Sequence, residues 1–413
     1  MNYRPRHIET KLRAYAEHFK IVLVVGARQT GKSTLLRNVF PQLKVVVFDP
    51  IQDLYGARRD PDLFLNNFPP PIILDEIQYV PELLPAIKRA ADATEKNGQY
   101  FLTGSQNLSV LKSVAESMAG RVGILQLDSM TPEEIEGEGA APVWLDDYLA
   151  HPESPATILT PVAGDSSLLR TLWRGGMPGL LDMPDHLVPD YFRSYLQTYV
   201  ERDVRLLENI RELAEFDRFL GLAGALSGQE INASQLGRDV SVSPLTARRW
   251  LDLLTNTYQW IDLFPYHGST IKRLSGKRKG CIRDSGFTCY LQRISTADAL
   301  AVHPLLGSIF EAWVIGYLHR QCSVLSAPPQ MYHWRTGAGA EVDLVLERDG
   351  TLYPIEVKCK TSLSRQDLRG LRSFRETYPS SRIAPALMIY AGREIQQLDP
   401  HTVAIPWSVK RQG

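Results

Sequence analysis

The run Ile21–Val25 (IVLVV), followed at once by Gly26–Ser33 (GARQTGKS), constrains this chain more than any other feature. Five consecutive apolar residues closed by a glycine suit a strand buried on both faces of a parallel sheet. The eight residues after it fit GxxxxGK[ST], and a helical pattern follows. Such a loop lets backbone N–H groups approach phosphate oxygens, and the helix start adds donors and a favourable dipole. The expected cradle is Gly26, Ala27, Arg28, Gln29, Thr30, Gly31, Lys32, Ser33 and Thr34. Lys32 would bridge the β- and γ-phosphates of ATP, and the Ser33 hydroxyl would bind Mg²⁺.

Four more short apolar runs recur between helical patterns: Lys44–Asp49, Pro71–Asp75, Tyr100–Thr103 and Val122–Asp128. With a leading amphipathic helix over 8–19, they predict a doubly wound α/β sheet. The third run ends in Asp75 and Glu76 (IILDEIQ). Asp75 is the second expected magnesium group, and Glu76 the base that orients and deprotonates the attacking water. The next strand ends in FLTGSQN, so Thr103, Ser105 or Gln106 could stand between the two acids and report the γ-phosphate, unless this is an ordinary turn. Arg121, in SMAGRVG, suits a finger that completes a neighbouring subunit's site.

At 413 residues the chain exceeds one ordinary core and predicts two or three domains. Lys plus Arg and Asp plus Glu number 46 each, so any basic surface must be local. The four cysteines show no metal-ligand spacing and read as reduced thiols. No signal-peptide core and no membrane-length apolar stretch is visible, which predicts a cytoplasmic protein without a membrane partner.

Residues 128–165, rich in Glu, Pro and Gly, read as a helical turn and a mobile connection. Helical segments are predicted over 187–208 and 212–226. From Ile231, two short helical patterns flank a turn at Val240–Ser243, and an extended segment follows, the outline of a winged helix-turn-helix. Residues 231–290 hold nine Lys or Arg against four Asp. Arg248, Arg249 and the run Lys272–Lys279 could meet phosphates, or could be a solvated basic wing. The expected partition is a P-loop AAA+ core over 1–160, a helical lid over 161–228, the winged helix over 229–295 and a separate α/β domain over 296–413.

These motifs together resemble prokaryotic AAA-type ATPases that carry a C-terminal domain of unknown function with a restriction-endonuclease-like fold. The resemblance rests on Gly26–Ser33, Leu74–Gln78, Thr103–Ser105, Met118–Arg121, Gly175–Pro178 and Tyr199–Asp203, and spans nearly the whole chain. It implies an AAA+ fold and ATP hydrolysis.

The tail also resembles the PD-(D/E)xK nuclease pattern: Glu311 on a helix, Asp343 on a strand, Glu356 and Lys358 on the next. Strand alternation sends Glu356 and Lys358 to one face. Asp343 and Glu356 could then share Mg²⁺ while Lys358 activates water or steadies phosphate charge. The expectation is an ATPase acting on nucleic acid, DNA in particular, and working as a homo-oligomer or ring. The alternative is a nucleotide-dependent regulatory or scaffolding protein whose tail binds a partner without cleaving.

Overall fold

The computed structural model describes residues 3–53, 55–105, 120–162, 167–200, 204 and 213–412. Gln106, Met118, Arg202 and Asp203, named above, lie outside them.

The N-terminal part begins with α1 (Glu9–His18), β1 (Ile21–Val25), α2 (Lys32–Val39) and β2 (Lys44–Val47). It continues with α3 (Pro61–Asn67), β3 (Ile72–Asp75), α4 (Leu83–Asp92), β4 (Tyr100–Gly104) and β5 (Val122–Gln126). The five strands form one parallel sheet in the order β2-β3-β4-β1-β5. Alternation along β1 explains its unbroken apolar run. Ile21, Leu23 and Val25 pack with Phe64 of α3 and Leu83 and Ile87 of α4. Val22 and Val24 face Leu12 of α1 and Leu35 and Leu36 of α2. Helices thus cover both faces, as a doubly wound sheet requires.

Residues 128–165 depart from the expected mobile connection. Pro132–Glu136 is helical, with a capping box between Thr131 and Glu134. In α5 (Trp144–Ala150) the residues Trp144, Leu145, Tyr148 and Leu149 are all buried. That spacing is one face of a helix, and local Pro, Gly and Glu content hid it. After β6 (Leu159–Pro161) come α6 (Val188–Tyr199) and α7 (Leu213–Ala225).

The short strand β7 (Gln229–Glu230) precedes α8 (Ala233–Asp239) and α9 (Pro244–Asn256), which are joined by a turn with Ser241 at φ 64°. Next come β8 (Trp260–Pro265) and β9 (Lys279–Ile282), then the long helix α10 (Leu306–Val324). The tail adds β10 (Gln330–Arg335), β11 (Glu341–Arg348), β12 (Thr351–Lys358) and α11 (Arg369–Thr377). It ends with β13 (Arg382–Ile383), β14 (Ala386–Tyr390), β15 (Gln396–Asp399), β16 (Thr402–Pro406) and β17 (Val409–Arg411).

No domain boundary falls near 295. Among the described residues one ten-stranded sheet runs β15-β16-β14-β12-β11-β10-β8-β9-β7, with β13 on β12. Its seam is the parallel pairing of β10 with β8, Tyr332 opposite Phe264 and His333 opposite Pro265. Nor does the first unit extend to 160. Val143, Trp144, Leu145 and Leu159 belong to the large core that contains α10. Trp144 Nε1 donates to the Tyr317 hydroxyl at 2.8 Å, and β17 pairs with β6. Among the described residues, no helix is long and apolar enough to cross a membrane.

Candidate functional site

The loop after β1 turns where a side chain cannot go. Gly26 has φ +149°, and a Cβ there would lie 2.0 Å from the Leu127 carbonyl oxygen. Gly31, at φ +92°, opens α2. Thr30 Oγ1 donates to Ala27 O at 2.9 Å and steadies the loop from within. The Lys32 ammonium is buried and donates to Gly26 O at 3.0 Å and Ala27 O at 2.7 Å.

The adjacent ends of β3 and β4 supply the acids and their support. Ser33 Oγ donates to Asp75 Oδ1 at 2.7 Å. The fully buried Thr103 hydroxyl donates to the same oxygen at 2.5 Å, and accepts the Glu76 N–H at 2.9 Å. Glu76 itself sits in the left-handed region, φ 60° and ψ 47°. A non-glycine residue held there stores strain of the kind found at functional sites. Gln78 Nε2 donates to Glu76 Oε2 and, at 3.1 Å, to Ser105 Oγ. Ser105 therefore reaches Glu76 through Gln78, a residue that sequence reasoning did not single out.

A cavity of about 540 Å³ opens over this group, within the range of small-molecule and cofactor sites. Gln29, Gly31–Thr34 and Glu76 line one side. The other is built by residues the sequence did not mark as part of the site: Tyr3, Arg4 and Arg6 from the N-terminus, Met130, and Pro178, Gly179 and Leu181. Arg6 donates to Thr30 O at 2.9 Å and Asp128 O at 2.7 Å, and pairs with Glu134 at 3.0 Å. Gly176 N–H donates to Asp284 Oδ2 at 2.9 Å, fastening that wall to the residue two beyond β9.

Arg121 stands at the opposite edge of the sheet. It precedes Val122, the register partner of Ile21, so the length of β1, roughly 15 Å, separates it from the loop after Val25. It pairs there with Asp92.

Residues 18–136 match the family described as an AAA domain. That match, with the loop geometry, supports a P-loop AAA-like ATPase unit that binds nucleotide. Residues 165–298 and 306–409 match two families described only as domains of unknown function, DUF8612 and DUF4143. Uncharacterized proteins of Mycobacterium tuberculosis (Rv2008c) and Mycobacterium bovis (Mb2031c) are each 29% identical to this chain over 402 residues, 97% of this chain and 83% of theirs. The Walker-type ATPase PABY2304 of Pyrococcus abyssi is 16% identical, covering 70% of this chain and 99% of its own, with a TM-score of 0.43. The Thermotoga maritima RuvB Holliday junction branch migration motor is likewise 16% identical, covering 62% and 88%, with a TM-score of 0.30. Superpositions this partial decide nothing about the present chain.

The four tail residues do converge. Glu311 of α10, Asp343 of β11, and Glu356 and Lys358 of β12 gather under the ten-stranded sheet, but a fifth residue joins them. Lys279 of β9 pairs with Glu311 and lies 3.6 Å from Asp343 Oδ1. Asp343 Oδ2 accepts the Val357 N–H at 2.9 Å. Lys358 pairs with Glu356 Oε1, while Glu356 Oε2 is buried with no hydrogen-bond partner. Burial, and after it the Asp343 charge, pushes the Glu311 and Glu356 carboxyls up to about 8. Among the described residues, no group of three or more His, Cys, Asp or Glu stands where it could hold a metal ion. The donor set does not fit the expected magnesium, because an ammonium group already faces its carboxylates.

The basic run is also largely spent inside the fold. Arg273 pairs with Glu347 at 2.7 Å and Arg278 with Asp262 at 3.0 Å. Lys279 is buried, and the side chain of Lys272 lies outside the described residues. Arg248 and Arg249 remain exposed on α9.

Proposed function

We propose that this chain is a magnesium-dependent ATPase that works as a conformational switch, with nucleic acid, DNA in particular, as its partner. The observation that carries the reading is the hydrogen-bonded string Ser33–Asp75–Thr103–Glu76 facing the 540 Å³ cavity. A hydroxyl and a carboxylate 2.7 Å apart are hard oxygen donors suited to Mg²⁺. The ion would neutralise charge on the transferring phosphate. Lys32 would turn from its loop carbonyls to phosphate oxygens, and Glu76 would orient and deprotonate water. The reading predicts that Lys32→Ala loses nucleotide binding. Glu76→Gln would bind ATP and hydrolyse it at least ~100-fold more slowly; near-normal turnover in that variant would sink the assignment.

The switch reading is supported by the cavity's far wall. It is tied through Gly176 to Asp284, and Arg283 beside it pairs with Asp128 after β5 at 3.0 Å. The DNA reading is supported by α9, a second helix of winged-helix outline that buries Ala247, Trp250, Leu253 and Leu254 and exposes Arg248 and Arg249. Duplex binding that weakens with salt and with Arg248→Ala/Arg249→Ala is expected. No binding at low salt would leave the scaffolding alternative, with a protein partner. The placement of Arg121 away from its own loop supports action across a subunit boundary in a homo-oligomer or ring. The tail is read as a restriction-endonuclease-like unit kept for binding, and the reduced thiols fit a cytoplasmic setting.

A further inference from the structure

We infer that the carboxylate cluster of the C-terminal sheet holds the Lys279 ammonium as its cation, and takes no divalent metal while β9 stays in place. The placement follows from the strand. Alternation along β9 puts Lys279 and Cys281 on one face, and both meet the same stretch of α10. Cys281 Sγ lies 3.8 Å from Ala312 O, and Lys279 pairs with the neighbouring Glu311. Register reinforces it: Lys279 stands opposite Leu263 of β8 and Glu230 of β7, in the middle of a three-stranded arrangement. Its side chain is only 9% exposed, and those of Asp343 and Glu356 6% and 5%.

A lysine this buried persists only when paired. Glu311 and Asp343 supply the pairing, while the second Asp343 oxygen is taken by backbone and one Glu356 oxygen by Lys358. What remains around Glu356 Oε2 is one unpartnered oxygen, whereas magnesium and manganese want several oxygen donors at once. Charge points the same way. Three carboxylates face two ammonium groups, so a divalent ion would arrive beside a fixed positive charge with little left to neutralise. Without Lys279 the same carboxylates would face Lys358 alone, a deficit that one divalent ion would cancel. Lys279 therefore acts as an internal stopper, contributed by the strand whose far end, through Arg283 and Asp284, touches the ATPase unit.

The test is a Mn²⁺ titration, followed by electron paramagnetic resonance, of the nucleotide-free full chain. Wild type is compared with Asp343→Asn, Lys279→Met, Lys279→Gln and Lys279→Met/Asp343→Asn. Any Mn²⁺ at Ser33 and Asp75 is common to all five proteins. Wild type and Asp343→Asn should bind Mn²⁺ identically. Lys279→Met and Lys279→Gln should each gain one ion, bound at least tenfold more tightly than anything at this site in wild type, and the double variant should lose it. The inference is overturned if wild type holds an ion that Asp343→Asn removes, or if both Lys279 variants fold by circular dichroism and gain none. Should neither fold, the comparison of wild type with Asp343→Asn decides alone. Neither arm depends on ATP hydrolysis, so failure here and failure of the ATPase reading are told apart.

Discussion

Thr103 and Glu76 are joined backbone to side chain: the Glu76 N–H donates to the Thr103 hydroxyl at 2.9 Å, and that hydroxyl hands its own proton toward Asp75. One buried threonine thus sets both acids of the site. It holds the peptide of a residue that would otherwise relax out of its left-handed conformation.

Thr103→Val keeps the shape and removes both hydrogen bonds. It is expected to lower kcat for ATP roughly 10–100-fold while nucleotide affinity stays within a few-fold, and Thr103→Ser should recover most of the loss. Steady-state hydrolysis and fluorescent-nucleotide titration separate the two effects. Unchanged kcat in the valine variant would remove Thr103 from the account.

Arg121 has a subunit-mixing signature. Lys32→Ala and Arg121→Ala should each be nearly inactive alone, and an equimolar mixture should regain part of the activity, because some interfaces pair an intact loop with an intact arginine. A mixture no more active than the sum of its parts, or full activity of Arg121→Ala alone, would show that no finger acts in trans.

Arg283 and Asp128 form a largely buried pair, 13% and 7% exposed. Burial works to raise the Asp128 carboxyl, but Arg283, His319 and Arg320 outweigh it and hold it below the usual range. Arg283→Met should cost about 3 kcal/mol of unfolding free energy, read from urea midpoints at constant m-value. Arg283→Met/Asp128→Leu should cost less than the single change.

How far these features could be read beforehand depended on the range of the interaction. GARQTGKS and LDEIQ were legible because each is a local pattern at the end of an apolar run, and Thr103 and Ser105 because they end the next one. Gln78 escaped because its role depends on reaching Ser105 across to β4. Lys279 was read as part of a basic wing: its partners Glu311 and Asp343 lie 32 and 64 residues downstream, and local composition says nothing about them. The helix at Trp144 was concealed by the Glu, Pro and Gly around it, although its four apolar residues had helical spacing. The β8–β10 seam is a parallel pairing across more than 60 residues, and no short-range pattern specifies one.

His333 provides an acid-side readout. Burial, partly offset by a hydrogen bond to Lys277 O, pushes its pKa down to about 4. The unfolded chain, near 6.5, takes the proton more readily, so stability is full above pH 6.5 and falls as pH drops toward 4. His333→Gln, which retains a donor for Lys277, should flatten this fall by about 2–3 kcal/mol between pH 7 and 4.5. Urea midpoints at several pH values check it, and parallel curves for the two proteins would refute it.

The seam between β8 and β10 bears on how the tail can be studied in isolation. A fragment beginning at residue 296 would leave the backbone of Tyr332 and His333 without its neighbours on β8, an open strand edge ready to recruit another copy. The same cut would discard Lys279 and strip Glu311 and Asp343 of their counter-charge. Such a fragment would be prone to self-association and would acquire a hunger for divalent ions foreign to the intact chain. Metal-dependent cleavage seen with it would be a property created by the scissors.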